Sequence, residues 1–320
     1  TKDHENKTKV LYFKLGAALS IFVFGGLGVY LPFLAKRFPS CKPGTDFFDM
    51  IKAFAAGVIL ATGCVHVLPD AFASLTSPRL GKPWSTFNVA GFTLMMGLLG
   101  ALVLELVVES YYGKAHSCKA QQGKANEKDI EQGDQEHVHV HTHATHGHTH
   151  GSLGGSDENQ LIRHRVISQV LELGIVVHSV VIGIALGASE ESSEIKTLLI
   201  ALSFHQLFEG MGLGGCISEA QFKTIRNVIM GITFAITTPI GVGIGIGISS
   251  VYKENSPTAL IVEGILNAAS AGILIYMAMV DMISPSIRSQ KVQGNIKLMI
   301  LVCGSLFLGA GLMSLLALWA

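Results

Sequence analysis

The chain has 320 residues, 49% of them apolar and only 14% charged, against about 25% charged in an ordinary soluble domain. Lysine plus arginine balance aspartate plus glutamate at 23 each, which excludes a basic nucleic-acid binder. Thirty-six glycines without a Gly-X-Y period exclude collagen, and five scattered cysteines give neither a disulfide framework nor a paired C-x-x-C zinc site.

The composition defines an all-α polytopic membrane protein. A bilayer core of about 30 Å takes roughly 20 mostly apolar helical residues. Eight stretches qualify: 10–33, 47–72, 87–112, 166–188, 195–217, 225–251, 259–283 and 296–319. Pro39, Pro43, Pro78, Pro83 and Pro257 punctuate the linkers. The chain divides into 1–112 with three helices, a polar segment 113–164 that reads as a flexible loop, and 165–320 with five more. With the N-terminus outside, the inner loops carry 14 Lys and Arg and the outer ones 8. The bias puts both termini outside and the long loop in the cytoplasm.

Ionisable groups within an apolar span are costly, and each is a functional-site hypothesis. The second stretch has His66 and Asp70 four residues apart, with Pro69 between them able to distort the helix and free backbone carbonyls. Near the outer end, the pair reads as an entrance or relay. Lys52 at the other end can snorkel to water. Glu105 and Glu109 in the third stretch, Glu172 in the fourth and Asp281 in the seventh read as structural or interfacial. The loop holds His137, His139, His141, His143, His146, His148 and His150. Seven imidazoles in so short a segment suit weak, exchangeable binding of a borderline divalent metal.

In the fourth stretch His178 is followed by Ser179, and Gly174, Gly183 and Gly187 permit a close helix neighbour. The fifth carries Ser203-Phe204-His205-Gln206-Leu207-Phe208-Glu209-Gly210, in which His205 and Glu209 share a face one turn apart. If these two helices pack together, His178, His205 and Glu209 converge, with Gln206 able to add a carbonyl oxygen. Mixed nitrogen and oxygen donors suit Zn²⁺, Fe²⁺, Mn²⁺ or Co²⁺ better than Ca²⁺ or Mg²⁺. The glycines Gly241, Gly243, Gly245 and Gly247 lie within a span with no strand before them, so helix packing accounts for them better than a nucleotide fingerprint. The seventh stretch adds Glu263 and Asn267, again four apart.

The runs His178-Ser179-Val180-Val181-Ile182-Gly183 and Ser203 to Gly210, followed by Met211-Gly212-Leu213-Gly214-Gly215-Cys216, resemble the ZIP family of zinc and iron transporters, in its plant branch. Asn267-Ala268-Ala269-Ser270-Ala271-Gly272 and the terminal Ala317-Leu318-Trp319-Ala320 resemble the same branch. The resemblance implies an eight-helix ZIP-type bundle with both termini outside and metal movement towards the cytoplasm. It implies His178, His205 and Glu209 as metal ligands, with Ser179 and Gln206 as further donors. It also makes His66 and Asp70 outer entrance residues and Glu263 a polar position on helix 7. Where several distant relatives have two more carboxylates, this chain has Ile182 and Thr238, which implies one main ion and a reduced site charge.

The expected function is therefore transport of Zn²⁺ or Fe²⁺ into the cytoplasm across the plasma membrane, as cargo and with no prosthetic group. The partners are the divalent ions and the lipid bilayer, with no nucleic acid and the oligomeric state, homodimer included, left open. Uptake should fall as the outer pH drops towards the ordinary histidine pKa of about 6.5, because neutral imidazole is the ligand form. Two rivals stand beside this reading. A membrane metalloprotease would need a general base and a metal-bound water, and the H-E-x-x-H signature is absent. A metal-sensing receptor would signal through the histidine loop and move nothing.

Overall fold

A computed structural model of the chain describes residues 2–38, 44–84, 86–128, 153–189, 192–248 and 256–318. It consists of eight long helices: α1 (Lys2–Ala35), α2 (Asp46–Leu75), α3 (Val89–Lys128), α4 (Leu153–Ala188), α5 (Ser192–Glu219), α6 (Thr224–Ile248), α7 (Pro257–Arg288) and α8 (Ile296–Leu316). A single turn, Gln290–Gln293, joins the last two, and no strand occurs among the described residues. The expected histidines 137–150 lie outside the described residues.

Local chemistry sets several boundaries. Thr45 caps α2 by accepting from the Phe48 amide, with Asp46 and Asp49 in the first turn where the helix dipole favours negative charge. Ser256 caps α7 ahead of Pro257, and Asn295 caps α8 through the Lys297 and Leu298 amides. The segment expected to be a loop, 113–164, is helical at both ends, because α3 runs on to Lys128 and α4 starts at Leu153. The Lys, Ala, Gln and Glu of 114–128 are good helix formers. Their polarity ends the apolar run without ending the helix.

Seven of the eight helices are long and apolar enough to cross a membrane. The exception is α5, which is 28 residues long but carries His205, Gln206 and Glu209 in its middle. Lipid-facing surfaces are plainly marked: Ile225, Ile229, Ile232, Ile236 and Ile240 form one exposed stripe on α6. The most extensive helix pairings are α1 with α5, α2 with α7 and with α8, α4 with α6, and α3 with α7.

Glycine makes these approaches possible. A Cβ added to Gly183 would run into the Thr238 carbonyl and lie 2.9 Å from the Gly241 Cα, while one added to Gly241 would meet the Val180 carbonyl and Gly183. The glycine face of α4 thus packs on the glycine repeat of α6, backbone against backbone, as small residues allow in membranes. Gly241→Val should lower the melting temperature of the purified protein, since overpacking costs about 1–3 kcal/mol or more where backbone must move. Gly243→Val is the control, because nothing lies within 4 Å of a Cβ there. Equal melting of the two variants would refute the close contact.

Two turns depart from α geometry. Residues Thr62–Val67 of α2 and Met277–Ile283 of α7 are π-helical. The Leu68 amide donates to the Gly63 carbonyl and the Ser284 amide to the Met279 carbonyl, five residues back. Each wide turn ends two residues before a proline, Pro69 or Pro285. A proline ring in a regular helix collides with the carbonyl four residues earlier, and the extra residue in the turn relieves this.

Candidate metal site

The site is built where three helices meet in the middle of the bundle. His66 stands in the wide turn of α2, His178 in α4 and His205 in α5. Each imidazole offers a nitrogen, and these three atoms lie within 4.8 Å of one another. The ring centroids are 5.5 Å apart for His66 and His178, 5.2 Å for His66 and His205, and 5.7 Å for His178 and His205. All three side chains are buried, His178 completely.

Glu209 lies one turn along α5, with Oε1 3.2 Å from His205 Nε2, and is also fully buried. Ser179, Gln206 and Asn267 complete the buried polar set. The Gln206 Oε1 accepts from the Thr238 hydroxyl at 3.4 Å, and Asn267 of α7 lies within polar reach of His178.

Hydrogen-bond bookkeeping shows how unusual the place is. Among the described residues, eleven buried side-chain nitrogens and oxygens lack a hydrogen-bond partner, and nine of them belong to His66, His178, Ser179, His205, Gln206, Glu209 and Asn267. Leaving such groups bare costs roughly 1–3 kcal/mol each, and more for a carboxylate. The three imidazoles converge from three helices, and with the Glu209 carboxylate beside His205 they form a set of lone-pair donors suited to a cation. Three imidazoles with an adjacent carboxylate match a borderline divalent metal.

Sequence spacing leads to His178, His205 and Glu209, and the structure brings these close. It adds His66, which spacing alone assigns to an outer entrance. The helix continues nine residues beyond His66 to Leu75, about 13 Å at 1.5 Å per residue, so this histidine is well inside. Pro69, three residues further on, was the available signal, since wide turns cluster at functional sites. Asp70 and Glu263 remain apart from the cluster, half-buried near the far ends of α2 and α7. There Gly264 of α7 packs against Ser74 and Leu75 of α2.

The opposite end of the bundle, called here the loop end because α3 leaves and α4 enters it, is crossed by ion pairs that sequence reading did not foresee. Arg163 of α4 donates from Nε to Glu105 of α3 at 3.1 Å and from Nη2 to Asp281 of α7 at 3.0 Å. The Tyr276 hydroxyl donates to the other oxygen of Glu105 at 2.6 Å. Lys52 of α2, expected to snorkel to water, is only about one-fifth exposed and pairs with Glu219 of α5 at 2.9 Å. Lys36 of α1 donates to the Ser218 carbonyl at 2.6 Å. Six helices are tied together in this layer, and Glu105 and Asp281 serve as its anchors.

A bundle of membrane helices that surrounds a buried cluster of metal donors, crossed at one end by ion pairs, defines the class of membrane metal-ion carriers. Comparison with known proteins agrees, and the chain belongs to the ZIP Zinc transporter family, whose profile matches residues 11–317. It is 50% identical to Zinc transporter 8 of Oryza sativa subsp. japonica, covering 96% of this chain and 87% of that protein. It is 48% identical to Zinc transporter 3 of Arabidopsis thaliana, with 99% and 88% covered. The Fe(2+) transport protein 2 of Arabidopsis thaliana is 43% identical, with 98% and 89% covered.

Proposed function

We propose that the chain carries Zn²⁺ or Fe²⁺ across the plasma membrane into the cytoplasm, binding the ion at His66, His178 and His205 with Glu209 alongside. One observation carries this reading: three buried imidazoles from three helices with their nitrogens within 4.8 Å. Mn²⁺ and Co²⁺ accept the same donors. Ser179 and Gln206, next to His178 and His205 in the chain, serve as supplementary oxygens, and Asn267 lies beside His178. Asp70 and Glu263, one turn outside His66 and Asn267, draw the hydrated cation inward.

All eight helices cross the membrane in this reading, with both termini outside and the loop end in the cytoplasm. The ion is stripped of water at the cluster while the ion-pair layer keeps the cytoplasmic side shut. Rocking of helix groups then parts Arg163 from Glu105 and Asp281, as alternating access requires. Ile182 and Thr238 stand where further carboxylates would allow a second ion, so a single ion moves per cycle. The histidines 137–150 receive it on the inner side.

The test is uptake of Zn²⁺ and Fe²⁺, each alone, into proteoliposomes holding the full chain or a variant lacking 137–150. Transport by both proteins is expected, with the faster ion marking the preferred cargo. Absence of uptake by correctly folded and oriented protein would overturn the carrier reading in favour of a metal sensor acting through its loop.

A further inference from the structure

A second feature of the loop end has no part in the ion pathway. A groove of ≈ 770 Å³ opens on the surface of the bundle, between the middle of α3, the first half of α4 and the start of α6. Its walls include Leu104 and Leu173, which are 42% and 53% exposed and stand on the surface that meets lipid. Its polar edge carries three cations, Arg165, Lys223 and Arg226. Among the described residues no carboxylate lines it, and Glu172 beside it interacts electrostatically with Arg226.

The two arginines are held in place rather than trailing in solvent. Arg165 of α4 lies 5.7 Å and Arg226 of α6 4.7 Å from the centroid of the Phe222 ring. Arg165 also donates from Nε to the Ala220 carbonyl at 3.2 Å. Cation–π contact orients a guanidinium while leaving most of its donors available.

We propose that this groove binds one anionic phospholipid, its phosphodiester among Arg165, Lys223 and Arg226 and an acyl chain along Leu104 and Leu173. The charge pattern selects the occupant. A soluble anion would satisfy the cations but leave the apolar walls bare, and a zwitterionic lipid would bring a fourth cation to three. A basic pocket between membrane helices at the interface suits an anionic headgroup. Through α4 and α6 such a lipid would brace the helix that carries Arg163 and His178.

The full chain is placed in nanodiscs of equal phosphatidylglycerol and phosphatidylcholine, then released for native mass spectrometry. Wild-type protein should retain phosphatidylglycerol over phosphatidylcholine by at least about five-fold, in line with a stabilisation of about 1 kcal/mol for each cation near the lipid surface. Lys223→Gln with Arg226→Gln should remove the preference. Leu173→Trp, which fills the groove and keeps every charge, should lower retention as well and guards against loss of fold in the double variant. Equal retention of the two lipids by wild type would overturn the proposal and leave the groove to the chain's own segment 129–152. Displacement of the lipid by millimolar glycerol phosphate would also overturn it, by assigning the cations to a soluble anion. Zinc uptake by wild type is read in parallel: failure of transport with phosphatidylglycerol retained would count against the carrier reading alone.

Discussion

His178→Ala should abolish metal uptake without unfolding the protein. The side chain is completely buried and neither ring nitrogen has a hydrogen-bond partner. Its removal therefore relieves an uncompensated polar burial that costs on the order of 1–3 kcal/mol, which offsets much of the cavity left behind. The cation, by contrast, loses one of three imidazoles. Transport is expected to fall by on the order of 100-fold, a ligand mattering at least as much as the outer partners whose loss costs 10–100-fold. Thermal melting separates the two effects. The metal-free variant should melt near wild type, but added Zn²⁺ should raise the midpoint of wild type only, because only a bound ligand shifts the equilibrium. Near-normal uptake by the variant would remove the cluster from the pathway.

Arg163→Gln should open the loop end. The guanidinium holds Glu105 and Asp281, and the Asp281 side chain is fully buried with its second oxygen unpartnered. Taking away the shared cation leaves two carboxylates facing each other. Breaking a wholly buried pair costs 3–5 kcal/mol; with Arg163 at 38% exposure the expected loss is about 2 kcal/mol. The triple change Arg163→Gln, Glu105→Gln, Asp281→Asn removes the repulsion and should recover most of that stability. The lock stays broken in it, and Cys216 reports the fact. This thiol is 6% exposed in a small pocket with Lys52, Glu219 and Met282. In a background with the other four cysteines changed to Ser, a membrane-impermeant maleimide should label Cys216 several-fold faster in the triple variant than in its parent. Equal labelling would show that these ion pairs do not gate the end they span.

The sequence makes the helices legible because each apolar run is long and bounded by Pro, Gly or charge. It also reveals His178, His205 and Glu209, since polar groups stand out against an apolar background and the i, i+4 spacing is local. What it hides is non-local. Arg163 is 58 residues from Glu105 and 118 from Asp281, and nothing in the run of residues pairs them. Helices α4 and α5 carry two of the three imidazoles, yet Gly183 and Gly187 of α4 serve α6 and Gly174 serves α7, none of them α5. The third imidazole was misplaced for a different reason. Hydropathy places α2 a few residues short at its outer end, and periodicity carries no trace of an added residue in one turn.

That added residue has a consequence for the phase of α2. Ala55, Ile59, Gly63, Val67, Ala71 and Leu75 are all buried, a row that repeats every four residues. At 3.6 residues per turn such a row drifts by about 40° at each step. The wide turn takes back part of the drift, so the helix has two phases: the first half sets Gly57 against α8, and the second sets Gly63 and Leu75 against α7. His66 stands at the join. Deleting one residue from 62–67 would swing the outer half by roughly 100°, forcing the chain to give up one neighbour or the other, and the histidine with it.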